Sequence, residues 1–375
     1  MILKISLQNF RNFKSQTLPI EKQNIVLYGK NGCGKSNILE ALSVFSIGKG
    51  LKKAASDDII KATEDRFPEK PRGWSSKILL SGDIDLKTEY IVQEDGSGKR
   101  YSFAQGAPLK NASGFAEWIS FLCITPETDR LFLDTPSTRR KFVDRFVYAK
   151  DSTHLKRVTR YEEAVRERLK ILKTYGIHQK EWLSALEKII VEEGLEIGFS
   201  RLSLLEQLST FKPKGKEIGI LPGFTAFMDG PFEKLLSLSS KSEMECVFFK
   251  TLEDMRFKDK ESGMTNFGPH RSDLFVLHPL KNISVYQCST GEQKVLLLSL
   301  LISYLEQFCL KKESLTVFLL DDVVAHLDEI HREVLYNRLL SEKGAPFQAW
   351  FSGTEKIFFS PLQSHSDMID VTALL

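Results

Sequence analysis

The sequence predicts an α/β fold built from both ends of the chain. A mixed β lobe and a parallel-sheet lobe are interrupted by an inserted, mainly helical arm. Three observations predict it. A glycine-rich loop, Gly29-Lys30-Asn31-Gly32-Cys33-Gly34-Lys35-Ser36, stands between an apolar strand pattern and a helical one. The apolar periodicity is strand-like up to about residue 110, helical from about Phe115 to Phe211, and alternating again from Ser284. The run Leu315-Thr316-Val317-Phe318-Leu319-Leu320 is continuous, as in strands buried on both faces of a parallel sheet. The expected division is 1–115 and 265–375 for the two-lobed head, and 116–264 for the arm.

In chain order, Leu3, Ile5 and Leu7 alternate with Lys4, Ser6 and Gln8, which predicts a half-buried strand; Asn9-Phe10-Arg11-Asn12-Phe13 then turns the chain. Asn24 to Tyr28 reads as a buried strand. Ile38, Leu42 and Phe45 give a helix face that stops at Gly48. Strands follow around Ile78-Leu79-Leu80 and Tyr90-Ile91-Val92, with a surface loop at Pro68 to Gly73 and a hairpin tip at Glu94 to Lys99. From Arg139 the chain becomes charged and helical. Between 139 and 173 it carries twelve Lys/Arg against five Asp/Glu, a net +7, whereas Glu181 to Glu206 is acidic by comparison. Residues 212–260 mix short strand-like and helical pieces. Later come an apolar helix from Val295 to Leu305, the strand ending at Asp321-Asp322, a helix from Glu329 to Leu340, and a last inner strand at Gln348-Ala349-Trp350-Phe351. There is no internal repeat, and no heptad pattern continues long enough for an extended coiled coil.

At 375 residues, two domains or one domain with a large insert is expected. The 42% hydrophobic and 27% charged content suits a globular chain, and a net charge of +3 restricts any nucleic-acid surface to a local patch. Five cysteines without CxxC spacing point to a reducing compartment. Met1 to Leu7 reads as a strand rather than a signal peptide, and Val295 to Leu305 is too short to span a bilayer. A cytoplasmic protein without membrane contact is expected.

The loop at 29–36 fits G-x-x-x-x-G-K-[ST]. Its glycines let backbone N–H groups approach a phosphate chain, and the following helix start adds partial positive charge. Lys35 is expected to reach the β- and γ-phosphates and Ser36 to hold Mg²⁺. Asp321 ends a strand at its carboxyl edge, where open α/β sheets bind ligands, and is the second expected Mg²⁺ ligand. Asp322 would orient or deprotonate the attacking water. Alone, an Asp-Asp pair after a strand reads equally as a solvated turn or a helix cap. Ser289-Thr290-Gly291-Glu292-Gln293 is both a capping box and a helix start fit for an anion.

These residues, in this order, resemble an ABC-type ATPase head of the SMC/Rad50 kind. More closely, the chain is similar to the RecF family of bacterial DNA replication and repair proteins. The pieces carrying the similarity are Leu7 to Phe13, Gly29 to Asn37, Thr125-Pro126-Glu127, Asp134 to Asp144, Gly268-Pro269-His270-Arg271-Ser272-Asp273, Ser289 to Lys294 and Leu319 to Asp328. The stretch from roughly 150 to 260 matches only in helical character. The resemblance implies that ATP is held by Gly29, Lys30, Asn31, Gly32, Cys33, Gly34, Lys35, Ser36 and Asn37. It implies further nucleotide contacts from Arg11 and Asn12, a Q-loop role for Glu127, and γ-phosphate contact from Ser289, Gly291 and Gln293 of a second copy. Asp328 would be the D-loop residue crossing that dimer. ABC transporter heads have Glu where Asp322 stands and a histidine near Ser352-Gly353-Thr354; the departure implies slow hydrolysis. Ser272 stands where the family often has an acid.

The resemblance implies an ATP-dependent homodimer that clamps duplex or gapped DNA, single strands more weakly, and works with RecR and RecO to load RecA. The +7 window reads either as DNA path or as solvated helix face. Arg139 and Arg140 read either as phosphate contacts or as a salt-bridged helix start. A transporter ATPase subunit is disfavoured because Ser36 and Ser289 stand so far apart; another SMC/Rad50-like protein, because the coiled coil is missing. A pseudo-ATPase scaffold is disfavoured because Lys35, Ser36, Asp321 and Asp322 are intact.

Overall fold

The computed structural model describes residues 1–46, 50–51, 54–60, 73–279, 281–309, 314–323, 327–341 and 346–374. The expected helix stop at Gly48, residues 68–72 of the expected loop, and Val324-Ala325-His326 lie outside the described residues. The chain divides into two compact units, Met1–Asp129 with Leu305–Leu375, and Arg130–Tyr304.

The first unit holds two sheets. The six-stranded one is antiparallel, in the order β2-β1-β4-β5-β6-β7: β1 (Ile2–Phe10), β2 (Phe13–Pro19), β4 (Gly73–Leu80), β5 (Ile84–Val92), β6 (Gly98–Ala104) and β7 (Ala107–Leu109). Its first strand departs from simple alternation. A register irregularity between Ile2 and Lys4 buries Ile2, Ile5, Leu7 and Phe10 and leaves Leu3 half-exposed. The second sheet is wholly parallel, in the order β14-β3-β13-β12-β8. It comprises β3 (Asn24–Tyr28), β8 (Ile119–Ile124), β12 (Leu315–Leu320), β13 (Phe347–Gly353) and β14 (Ser366–Asp370). Every residue of β12 and β13 is buried, as parallel strands require, and Trp350 lies fully inside.

One strand runs against the sequence reading, which began the helical region near Phe115. Residues Ile119–Ile124 are instead strand β8, paired in parallel with β12 from Ile119↔Leu315 to Ile124↔Leu320. Ile-Ser-Phe-Leu-Cys-Ile is a short apolar run of the kind that periodicity cannot assign, and β-branched ends with a distant parallel partner decide it. Helix α1 (Lys35–Ser43) follows β3, and α9 (Glu329–Ser341) precedes β13. No described helix is long and apolar enough to cross a membrane.

The second unit is mainly helical: α2 (Pro136–Lys150), α3 (His154–Thr174), α4 (Lys180–Leu208), α5 (Pro231–Leu235), α6 (Lys241–Asp254) and α7 (Arg256–Ser262). A small antiparallel sheet, ordered β11-β10-β9, joins β9 (Thr225–Asp229), β10 (Asp273–His278) and β11 (Ile283–Ser284). Helix α8 (Thr290–Phe308) opens in this unit. Its core gathers Phe232, Phe248 and Phe267 with ring centroids 5.2–6.1 Å apart. Gly194 and Gly198 in α4 admit these rings, since a Cβ there would sit 2.9 Å from Phe248 and 2.7 Å from Phe232. A glycine inside a helix costs about 1 kcal/mol, and burying a phenylalanine returns about 1.5–3 kcal/mol.

A second, ionic core lies between α3, α4 and α7. Arg168 donates to Glu187 at 2.8 Å, to Asp259 at 2.7 Å and to the Leu252 carbonyl at 2.6 Å; Arg256 also pairs with Glu187. All four charged side chains are buried. In the basic window, Arg139, Arg157, Arg160, Arg168 and Lys170 have carboxylate partners, so much of its charge is internal to the unit.

Candidate nucleotide site

Strand β3 delivers the chain to the glycine loop at the carboxyl edge of the parallel sheet. The loop needs its glycines: Gly29, Gly32 and Gly34 have φ of 141°, 80° and 101°. A Cβ on Gly34 would sit 2.4 Å from Asn12. Asn12 Nδ2 donates to the Cys33 carbonyl at 3.1 Å, and Asn37 Nδ2 donates to Asn12 Oδ1 at 2.8 Å, so Asn12 braces the loop from β1's turn. Lys35 Nζ donates to the carbonyls of Gly29 (2.7 Å) and Lys30 (2.9 Å), which holds its ammonium inside the curve of the loop. Lys30 N–H donates to the Thr372 hydroxyl at 3.1 Å, and Asn31 and Gly32 are exposed.

Ser36 opens α1 and donates to Asp321 Oδ1 at 2.9 Å. Asp321 comes one residue beyond β12 and is 8% exposed. Ser352, near the end of the neighbouring β13, donates to the same oxygen at 2.6 Å and accepts from Asp322 N–H at 2.9 Å. Asp322 has φ 54°, a left-handed conformation that costs a non-glycine residue about 1–3 kcal/mol. Glu127 lies exposed just past β8, whose end pairs with Leu320, so it stands at the same carboxyl edge.

Other expected residues are engaged differently. Arg11, also left-handed (φ 55°), forms a two-pronged pair with the buried Glu40 at 2.8 and 2.7 Å and donates to the Asp58 carbonyl at 2.7 Å. The hydrogen bonds to Glu40 hold its guanidinium even more firmly protonated. Asp328 caps α9, its carboxylate accepting from the N–H (2.9 Å) and Nδ1 (2.7 Å) of His331; these bonds hold its carboxyl below the ordinary range.

Ser289 stands in the second unit at the start of α8. It makes the reciprocal capping box: Ser289 N–H and Oγ donate to Glu292 at 2.7 and 2.9 Å, and Glu292 N–H reaches back to Ser289 Oγ at 3.4 Å. Lys281 and Ser289 hold the Glu292 carboxyl down at about 2. Gly291 has open space beside it. Gln293 faces inward, 2% exposed, donating to the carbonyls of Val285 (3.0 Å) and Cys288 (3.3 Å), so it shapes the loop that presents Ser289.

Three contributors escaped the sequence reading. Ser352 had a signal: like Asp321, it follows an apolar strand in the parallel sheet. Glu40 and Thr372 had none, because an acid inside a helix and a threonine near position 370 are ordinary.

A glycine loop between strand and helix, closed by a serine hydroxyl on a strand-end aspartate, defines a P-loop ATPase. Consistently, the family model of the AAA ATPase domain matches residues 1–322. Curated relatives narrow the class. The DNA replication and repair protein RecF of Brucella suis biovar 1 is 33% identical over 99% of this chain and 94% of its own. RecF of Mesorhizobium japonicum is 32% identical over 99% and 96%. The chain belongs to the RecF family of DNA replication and repair proteins. Two solved structures share the fold. The recombination mediator RecF-ATPrS of the RecFOR pathway has TM-score 0.80 at 23% identity, covering 96% of this chain and 93% of that one. The RecF-ATP structure has TM-score 0.76 at 22% identity, covering 95% and 92%.

Proposed function

We propose that this protein is an ATP-dependent DNA-binding switch of recombinational repair and replication. The observation that carries the reading is the Ser36–Asp321–Ser352 constellation beside Gly29–Ser36. In this reading, residues 1–115 and 265–375 form the ATPase head and 116–264 the arm, except that β8 (Ile119–Ile124) belongs to the head's parallel sheet. Backbone N–H groups of Gly29 to Ser36 cradle the phosphates, and Asn12 keeps that curve rigid. Lys35 exchanges its carbonyl partners for β- and γ-phosphate oxygens. Arg11 supports the loop through Glu40 on α1.

A hydroxyl and a carboxylate sharing a hydrogen bond are hard oxygen donors that fit Mg²⁺. Bound there, Mg²⁺ would neutralise developing charge on the phosphates. Asp322 takes the proton of the attacking water, and Glu127 positions that water from the adjacent strand end. A short carboxylate at 322 and serine at 352 make hydrolysis slow, with DNA speeding it.

The second wall of the site comes from another copy. Ser289 leaves Glu292 to donate to the γ-phosphate, with Gly291 giving close approach, Gln293 holding the loop's shape and Asp328 crossing the interface. The ATP-bound homodimer clamps duplex and gapped DNA, single strands more weakly, and works with RecR and RecO to help load RecA. Its place is the cytoplasm. The test is the mass of the protein in solution with ATP, ADP or neither, with and without duplex DNA. A dimer that forms only with ATP supports the reading; a mass indifferent to ATP removes it.

A further inference from the structure

The segment Asp134 to Asp144 gives its two adjacent arginines different surroundings. Thr135 caps α2 and Pro136 occupies its first turn, which fixes the helix start. Arg139 is buried and forms a two-pronged pair with Asp273 at 2.7 and 2.6 Å. Arg140 is half-buried, and its Nη1 donates to a neutral acceptor, the Ser272 carbonyl, at 2.7 Å. Helix α2 and the Ser272-Asp273 stretch are therefore one joint, in which only Arg139 is paired with a carboxylate.

Arg140 lines a cavity of about 70 Å³ together with Ser137, Lys141, Asp144, Glu162, Arg201 and His270, so three cations meet two acids there. The charges around it do not cancel evenly. Asp144 is matched by Arg201, which donates to both its oxygens at 2.8 Å, and it also meets His154 at 2.9 Å. His270 is pushed down to about 4 by burial, so it is neutral. Its Nε2 lies 2.8 Å from the Thr265 carbonyl and its Nδ1 2.6 Å from the Tyr161 hydroxyl. Burial lowers the Arg140 guanidinium, and Arg201 and Arg271 add to that, while Asp273 and Asp144 act against them without restoring it. Ser137, Arg140 and Lys141 share one face of α2 at i, i+3 and i+4. The cavity exceeds the roughly 30 Å³ that one water occupies in the liquid, which leaves space for phosphate oxygens.

We infer that Ser137, Arg140 and Lys141 bind a phosphate oxyanion at this cavity, and that its source is the backbone of bound DNA. The inference rests on the DNA-binding reading above. A guanidinium fork and an ammonium on one helix face match a phosphodiester, and the contact carries no base information.

The test is the anisotropy of a labelled duplex titrated at several salt concentrations. Arg140→Gln and Lys141→Gln are each expected to weaken binding several-fold and to flatten the log–log salt slope by about 0.9, equally for unrelated sequences. Glu162→Gln, which removes the acid at the cavity rim, is expected to tighten binding. Arg140 also holds the Ser272 carbonyl; should Arg140→Gln fail to fold, the exposed Lys141 carries the test. Unchanged slopes in a protein whose wild type binds duplex overturn the inference and leave the DNA reading standing. A wild type that binds no duplex overturns both. Calorimetric binding of inorganic phosphate that Lys141→Gln abolishes, with no change in the DNA slope, assigns the site to free phosphate and overturns the DNA source.

Discussion

The Ser36 hydroxyl meets Asp321 Oδ1 at 2.9 Å, joining residues 285 apart in the chain. Neither side chain has a reason to be there for packing. One opens a helix, the other ends a strand, and the parallel sheet brings both to one edge. Ser352 donates to the same oxygen, so two hydroxyls hold the carboxylate in place.

If Asp321 holds Mg²⁺ as proposed, Ser352→Ala should loosen that site without touching the phosphate loop. Outer partners of a metal ligand are worth about 10–100-fold in metal affinity or activity. Hydrolysis measured across a Mg²⁺ series should shift to higher Mg²⁺, and Ser352→Thr should recover most of it. An unshifted Mg²⁺ curve for the alanine variant would exclude this part for Ser352.

Asp322→Asn should slow hydrolysis by about 10²–10⁴, the range for losing a positioned base, while leaving ATP binding intact. The variant should accumulate as an ATP-bound dimer in sedimentation velocity. Lys35→Ala, by contrast, should abolish nucleotide binding in equilibrium titration.

Ser289→Arg should bind ATP normally and fail to dimerise. The hydroxyl that would meet a partner's nucleotide is engaged with Glu292, and an arginine in its place fills that approach. Normal ATP-dependent dimerisation of this variant would refute the shared nucleotide.

Acid should destabilise the second unit before the carboxylates titrate. Burial lowers His270 from 6.5 to about 4, with Arg271 and Arg140 acting in the same direction and the Thr265 carbonyl and Asp259 against them; Tyr161 is its hydroxyl partner. The folded state then binds fewer protons than the unfolded one between these values. Stability is fully present above about 6.5 and falls as pH drops towards 4. Urea midpoints measured across that window should decline, and His270→Gln should flatten the decline.

Arg168→Met should cost about 3–5 kcal/mol, because Asp259 would remain buried without its cation and Glu187 would keep only Arg256. Chemical denaturation measures the loss, and adding Asp259→Asn should restore part of it.

The sequence was most legible where chemistry and local structure coincide. Gly29 to Ser36 announces both a backbone shape and a ligand, and the run 315–320 announces both a strand and its burial. Reading failed where a long-range partner decides. Ile119–Ile124 is a strand because β12 lies beside it, a fact absent from its six residues. The partner of Arg11 was equally hidden: Glu40, an unremarkable acid in a helix, pairs with its guanidinium. The net +7 window looked like one surface, but Arg139 and Arg168 point into the fold. Residue counts register charge without direction.

One guanidinium also bears on how α3 can slide. Apolar helix faces can slip by a turn, since one leucine replaces another in the same groove. Arg168 meets Glu187 of α4, Asp259 of α7 and the Leu252 carbonyl of α6. A one-turn slip of α3 would break all three bonds at once, so this cluster acts as a detent on the register of the α3–α4 hairpin.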